Sequence, residues 1–465
     1  MTDRSRTSGL ERRAFLGAAA GMASVLAPRV TQAQAQSAPL TDSSAITVRS
    51  TEHLVGSAVN HAHAVKAGPF VFLNGHEGFD FAAGATATVA GAPGFPDYGK
   101  PAMRREADFI LERMEQSLKS FGTDLAHTVR LDQYYTDADA VRAYHLARFA
   151  AFGKYIPPST SMIMDGCFSA KSTMTTSLLA VMPDPQWEIK PVYPQGAAFF
   201  GYSGYAPAVT ANDFVFAAGA GPDAKDVLPT DPPGGPHYLW SSALPIRRQA
   251  ESALKKIEIT LNAAGTSLAN CIKAHVHIAG AENFPDFLDV WNAHVGSSPA
   301  ALTVTPTKGF SAVEIILSIN YILLRDGAQR KKQIVRADIP PMASYSPAVR
   351  AGELVFSPGL LPLTREGTVA GLSQGDNFAG LCLRSQLQAS TIYDHAEAIA
   401  KAAGTDMRNL VRVNYWLSDI REFPGVALAW AGRYGNAPHP FACTVTPRLP
   451  APGATVMADF WFYAG

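Results

Sequence analysis

The sequence predicts an α+β protein built from three successive copies of one module. Three observations carry that prediction: a short helix-ending segment recurs twice, each occurrence closes an amphipathic stripe, and each precedes a strand of alternating character. Phe121-Gly122-Thr123-Asp124-Leu125 returns as Ala264-Gly265-Thr266-Ser267-Leu268 and as Ala403-Gly404-Thr405-Asp406-Met407. The spacing is about 140 residues, the size of a domain rather than of a solenoid unit.

Ahead of each glycine, apolar residues recur at helical spacing. They are Ile110, Met114, Leu118 and Phe121, then Leu254, Ile257, Leu261 and Ala264, then Ile392, Ala396, Ile399 and Ala403. Such a stripe is one face of a helix, and a glycine just beyond it takes the left-handed conformation that ends one. Strands follow at Thr128–Tyr135, Cys271–Ile278 and Leu410–Leu417. Second helices are predicted at Asp139–Phe152, Phe284–Val295 and Phe423–Tyr434, and a hairpin-like pair of apolar strands precedes each first helix. The order β-β-α-β-α-β-β thus repeats over residues 46–186, 188–326 and 333–465. Asp184-Pro185 and the charged run Arg325 to Lys332 read as linkers, and the Gly/Pro-rich stretches at Gly91–Lys100 and Leu228–Pro236 as surface loops.

The third strand of each copy alternates. Arg130, Asp132 and Tyr134, then Lys273, His275 and His277, then Arg412, Asn414 and Trp416 share one face, and the residues between them are mostly apolar. A period of two gives one face to a helix layer and the other to polar surroundings. His275 and His277 fit a polar lining better than a metal site, because the other copies have no histidine there.

Lys plus Arg and Asp plus Glu both number 39, so no basic surplus points to nucleic acid or an anionic membrane. Cys167, Cys271, Cys382 and Cys443 have no metal-ligand spacing and read as small core residues. At the N-terminus, Arg12-Arg13-Ala14-Phe15-Leu16, a short apolar stretch and Ala33-Gln34-Ala35 follow the order of a secretory signal. Residues 1–35 resemble a twin-arginine signal, with Glu11 where Ser or Thr is usual. The expectation is export of the folded protein to the periplasm or outside, with no membrane association once the signal is removed.

The module order, the helix ending in Ala-Gly or its equivalent and the basic strand after it resemble the RidA/YjgF family. Thr303-Val304-Thr305-Pro306 and Thr444-Val445-Thr446-Pro447 add to the likeness; Thr160-Ser161-Met162 is the reduced form in copy one. The resemblance implies three chorismate-mutase-like modules closed into an intramolecular pseudo-trimer, with a central β-barrel, helices outside and ligand clefts between modules. It implies a hydrolase or deaminase that acts on a small imine, enamine or cyclic nitrogen compound and needs no cofactor.

Relatives that hydrolyse imines hold a substrate carboxylate with the arginine of a Pro-x-Arg segment. By that pattern the positions here are Ser159, Ala301 and Ala442, so all three copies depart from it. The family's water-positioning Glu stands in a Val-Glu-Ile strand and matches Glu314 here, among Val313, Ile315 and Ile316, while Thr176 and Met457 stand there in the other copies, with Asp459 two residues beyond. Tyr205 and Tyr345 match the cleft-lining Tyr, where copy one has His61. Ser357-Pro358-Gly359 and Ala218-Gly219-Ala220 match a Ser-Gly turn, where copy one has Asn74-Gly75-His76-Glu77.

The expected catalytic residues are therefore Glu314, His61 and His76. Tyr205, Tyr345, Asn74, Gly75, Glu77, Ser357, Gly359 and Asp459 are the expected substrate contacts. Imidazoles beside a carboxylate suit general base catalysis or metal ligation. Two alternatives stand beside this reading: a non-catalytic ligand-binding pseudo-trimer, and a metal-dependent hydrolase using the histidines of copy one.

Overall fold

The computed structural model describes residues 45–465 except 55–56, 58, 82–83, 85, 97, 196–203, 224–225, 227–244, 313, 342–343 and 372–380. The predicted signal segment, the loop Leu228–Pro236 and Val313 lie outside the described residues.

Three mixed sheets follow one another along the chain, and their main paths have the same strand order. In the first, Ile46–His53, Asn60–Ala67 and Phe70–Glu77 pair in sequence; Met174–Val181 comes next, then Thr128–Tyr135, then Ser159–Ile163 at the far edge. Every neighbouring pair is antiparallel except the last, where Thr128–Tyr135 runs parallel to Ser159–Ile163. A parallel pair needs a crossover. Helix Ala138–Phe152 supplies it here, as Phe284–Val295 and Phe423–Tyr434 do in the other two sheets.

Each sheet packs its own helix layer. Ile110, Met114 and Leu118 of helix Ala102–Ser120 bury against Leu131 and Leu178, and equivalent clusters form around Ile257 and Ile399. The predicted caps are present: Gly122, Gly265 and Gly404 have φ of 83°, 70° and 78°, a region that costs glycine little.

Opposite the helices, the sheets share a fourth core. Phe72, Val129 and Leu179 meet Phe216, Ile272 and Ile322, and both sets meet Phe356, Val411 and Trp461. Above this apolar layer the three third strands present Arg130, Lys273 and Arg412, all buried. Arg130 donates through Nε to Asp132 and through Nη2 to Asn320 Oδ1 at 2.9 Å, Arg412 donates to Asp132 Oδ2 at 2.8 Å, and Lys273 pairs with Asp459 at 2.8 Å. Buried charges survive only when paired and hydrogen-bonded, and this network joins all three sheets by that rule.

The closed central barrel expected from the sequence is not seen. The described strands form three separate sheets, linked by short ladders: Asn60 and His61 with Pro438 and His439, and Gly166 and Cys167 with Thr444 and Val445. An isolated bridge joins Ile163 to Gly309.

The structure also adds a strand ahead of each predicted hairpin: Ile46–His53, Lys190–Val192 and Lys332–Val335. The third begins inside the charged run read as a linker. There Arg330 is held by Asp213 and Glu353, which lie on either side of the run.

Candidate functional site

Each sheet carries an irregularity where the predicted Ser-Gly turns lie. The ladder register shifts between Leu73 and His76 and again between Ala217 and Ala220, so a bulge stands at Asn74-Gly75 and at Ala218-Gly219. A bulge bends its strand and re-aims the flanking side chains. In all three sheets the glycine faces the edge strand of another sheet. A Cβ on Gly75 would lie 2.8 Å from the Phe441 carbonyl oxygen, one on Gly219 2.7 Å from Thr160, and one on Gly359 3.4 Å from Thr303. The junctions therefore run from the first sheet to the third, from the second to the first, and from the third to the second.

Gly75 carries a second constraint, a φ of 54°. Gly75→Ala combines left-handed strain with a backbone clash, so a loss of about 2 kcal/mol or more is expected in denaturant unfolding. A loss under ~0.5 kcal/mol would show that the two strands do not approach in this way.

The junction of the first and third sheets is unlike the other two. His61 and His63 lie on one strand; His61 pairs across the ladder with Glu52, and His76 follows on the neighbouring strand. His63 Nε2 lies 2.8 Å from Glu52 Oε2 and 3.2 Å from His61 Nδ1, and His61 Nε2 lies 2.8 Å from the Phe441 carbonyl oxygen. Only one set of tautomers satisfies these contacts. Nε2–H of His61 donates to Phe441, and Nε2–H of His63 is shared between Glu52 and His61 Nδ1. Glu52 also accepts from Phe81 N and from Arg113.

Burial drives the pKa of His61 well below the ordinary histidine range, and the neighbouring His63 adds to this. Burial also pushes His63 down to about 3, helped by Arg113. His76 is driven well below its usual value by burial and then by His63. All three imidazoles are therefore neutral at physiological pH. Both ring nitrogens of His61 are committed, which makes it a strut of the chain. His76 stands edge-on to His63 at 5.1 Å, and its Nδ1 has no hydrogen-bond partner among the described residues. Phe81 stacks on His63, Phe441 tilts onto His61, and Phe168 closes the wall against both phenylalanines.

Glu77 points to the loop at residues 165–173. Its oxygens accept from Phe168 N at 2.9 Å and Ser169 N at 2.8 Å. This loop and Ser418, Ile420 and Val445 of the third sheet's side line a pocket of about 540 Å³, large enough for a small molecule. Burial raises the Glu77 carboxyl to about 8, against the two backbone donors that favour its charge. The folded protein therefore holds this proton at pH values where the unfolded chain has released it. Stability falls as pH rises from about 4.5 to about 8, by up to a few kcal/mol, and levels beyond. Glu77→Gln mimics the protonated form, so its unfolding free energy is expected to lose most of that decline between pH 5 and pH 8.5. An unchanged slope would show that Glu77 is not the group responsible.

The remaining predicted residues fall elsewhere. Tyr345 packs on Phe284 and reaches Gly359 and Met457 at the junction of the third and second sheets, where the Ser357 carbonyl oxygen accepts from Lys273 Nζ. Tyr205 lies at the junction of the second and first sheets, beside Gly204, which packs on Phe149, and Ala206, which donates to Ile156. Asn74 donates across to the Val411 carbonyl oxygen.

Four expectations are corrected. Glu314 is an exposed turn residue ahead of strand Leu317–Leu324, not a strand residue among apolar neighbours. The ladders align Ser177, Asn320 and Asp459, opposite Asp132, His275 and Asn414, so neither Thr176 nor Met457 is its counterpart. Asp459 is committed to Lys273, Thr303 and Asn414 and holds the interior network together. The ladders also set Thr160 and Thr303, rather than Ser159 and Ala301, level with Ala442.

Sequence reasoning missed Arg148. This buried guanidinium comes from helix Ala138–Phe152 and donates to Ser159 Oγ at 2.8 Å. Burial lowers its pKa, opposed by Tyr135, Tyr144 and Tyr205. Its only signal in the sequence was a charged residue on the inner face of a helix.

A family model described as Endoribonuclease L-PSP matches residues 197–315 and 335–457, over half of the chain in two consecutive segments. The chain belongs to the Endoribonuclease L-PSP family. Among relatives of this Endoribonuclease L-PSP chain, the RutC family protein y4sK of Sinorhizobium fredii is 29% identical over 107 residues, 23% of this chain and 76% of the relative. Protein DfrA of Myxococcus xanthus is 29% identical over 132 residues, 28% of this chain and 92% of the relative. Among solved structures, Rv2704 of Mycobacterium tuberculosis, a member of the YjgF/YER057c/UK114 family, is 19% identical. It covers 30% of this chain and 99% of its own, with a TM-score of 0.24. RidA from an Antarctic Psychrobacter is 22% identical, covering 28% and 98%, with a TM-score of 0.24. One relative therefore spans about a third of this chain or less, which fits a fused repeat. The histidine-bearing first sheet lies outside both matched segments.

Proposed function

We propose that this chain is an exported, intramolecular pseudo-trimer that deaminates or hydrolyses a small imine, enamine or cyclic nitrogen compound. The working cleft is the junction of the first and third sheets. The observation that carries this reading is the run Glu52–His63–His61–Phe441, which holds neutral imidazoles beside His76 under a phenylalanine wall. A neutral imidazole is the form that takes a proton from water, and an apolar wall suits a small planar substrate. In this scheme His76 is the base, while His61, His63 and Glu52 fix its surroundings.

The test is turnover of an imine, enamine and lactam panel by the purified mature chain. Release of ammonia or ring-opened product supports the reading. No turnover of any member, with a ligand that raises the melting temperature, supports a binding module instead. A specific observation favours that second reading at another junction, where the buried Arg148 guanidinium donates to Ser159, the group suited to holding an anionic ligand, with Tyr205 nearby. A metal-dependent hydrolase has less support, since no group of three or more His, Cys, Asp or Glu among the described residues is placed to hold a metal.

A further inference from the structure

The interior network where the three sheets meet has more positive than negative groups. Among the described residues it contains three cations, Arg130, Lys273 and Arg412, and two carboxylates, Asp132 and Asp459, all of them buried. Burial lowers the pKa of Lys273, but the Asp459 carboxylate opposes this at 2.8 Å. Asp132 serves both arginines and is held well into its charged form by them, against its burial. His275 and His277 are kept neutral, chiefly by burial, and bring no compensating charge.

The two arginines also keep unused hydrogen-bonding capacity. Arg130 Nη1, Arg412 Nη1 and Trp461 Nε1 are buried donors with no partner among the described residues. They belong to one contact group, because the Arg412 and Arg130 guanidinium carbons lie 5.0 Å and 5.5 Å from the Trp461 ring centre. A buried donor left unmade costs free energy comparable to a lost hydrogen bond. Three such donors beside a surplus charge are the complement of an anion.

We propose that a small inorganic anion of chloride size binds between Arg130, Arg412 and Trp461 and serves as a structural ligand joining the first and third sheets. It accepts from the three donors, offsets the surplus charge and screens the two guanidinium groups that share Asp132. Nothing in this site overlaps the histidine junction, so the proposal stands apart from the catalytic reading.

The test uses the mature full chain. Its melting temperature is measured against rising sodium chloride, with sodium gluconate keeping the ionic strength constant. A saturable rise with chloride is expected, because a ligand bound only by the folded state stabilises it by mass action. Trp461→Phe keeps the aromatic ring and removes one donor, so its midpoint for chloride is expected to be roughly tenfold higher. Crystals grown in bromide are expected to give an anomalous peak within hydrogen-bond distance of Arg412 Nη1. The same melting temperature in chloride and gluconate overturns the proposal, as does density there that refines as water without anomalous signal. If Trp461→Phe fails to fold, the bromide experiment on the native chain decides alone.

Discussion

Replacing Asp132 with Asn is expected to cost about 3–5 kcal/mol of folding stability, read by urea unfolding. The substitution keeps the side chain's volume, so no cavity term enters. What it removes is the one carboxylate that accepts from both Arg130 and Arg412, each buried with almost no contact with solvent. A guanidinium does not give up its charge inside a protein, so both cations would remain and each would lose its counter-ion. The oxygen that Asn retains can still accept one hydrogen bond, which places the loss short of that for full truncation. A cost under ~1 kcal/mol would mean that water reaches these groups freely and that the interior is not as sealed as described.

His76→Ala is the second large effect, a fall of about 10²–10⁴ in kcat/KM on whichever panel compound is turned over. Truncating a ring this buried leaves a cavity, so a stability loss of about 2 kcal/mol or more is expected as well, and kcat/KM is compared at a temperature where the variant remains folded. The pH profile separates a base from a packing residue. Burial holds His76 well below the ordinary histidine range, so any turnover by the native chain that uses this base should persist as pH drops through 6.5, where an exposed imidazole would already be protonated. Loss of activity near pH 6.5 would exclude the buried imidazole as base. Unchanged turnover in His76→Ala would exclude the residue itself.

Features set by local sequence pattern were legible before the fold was known. The Gly122, Gly265 and Gly404 caps needed only a stripe and a glycine, and all three have the expected positive φ. The shared polar face of Arg130, Lys273 and Arg412 followed from a period of two, which strand geometry enforces. Glu314 failed for the complementary reason. Ile315 and Ile316 read as strand on composition, but turn and strand differ there by hydrogen bonds that composition does not encode. The offset among Ser159, Ala301 and Ala442 is a matter of register, set by pairing between strands and invisible along one of them. Glu52 was missed because its strand was not predicted, and only that strand places it opposite His61.

The three glycine contacts, of Gly75 with Phe441, Gly219 with Thr160 and Gly359 with Thr303, join different pairs of segments. In an assembly of identical subunits, any change at such a seam is imposed at every copy of it at once. Here a substitution alters one seam and leaves the others intact. A costly polar group can then stand in a single place while the other two junctions keep their own contacts, as His61 stands where the other two segments have Tyr205 and Tyr345.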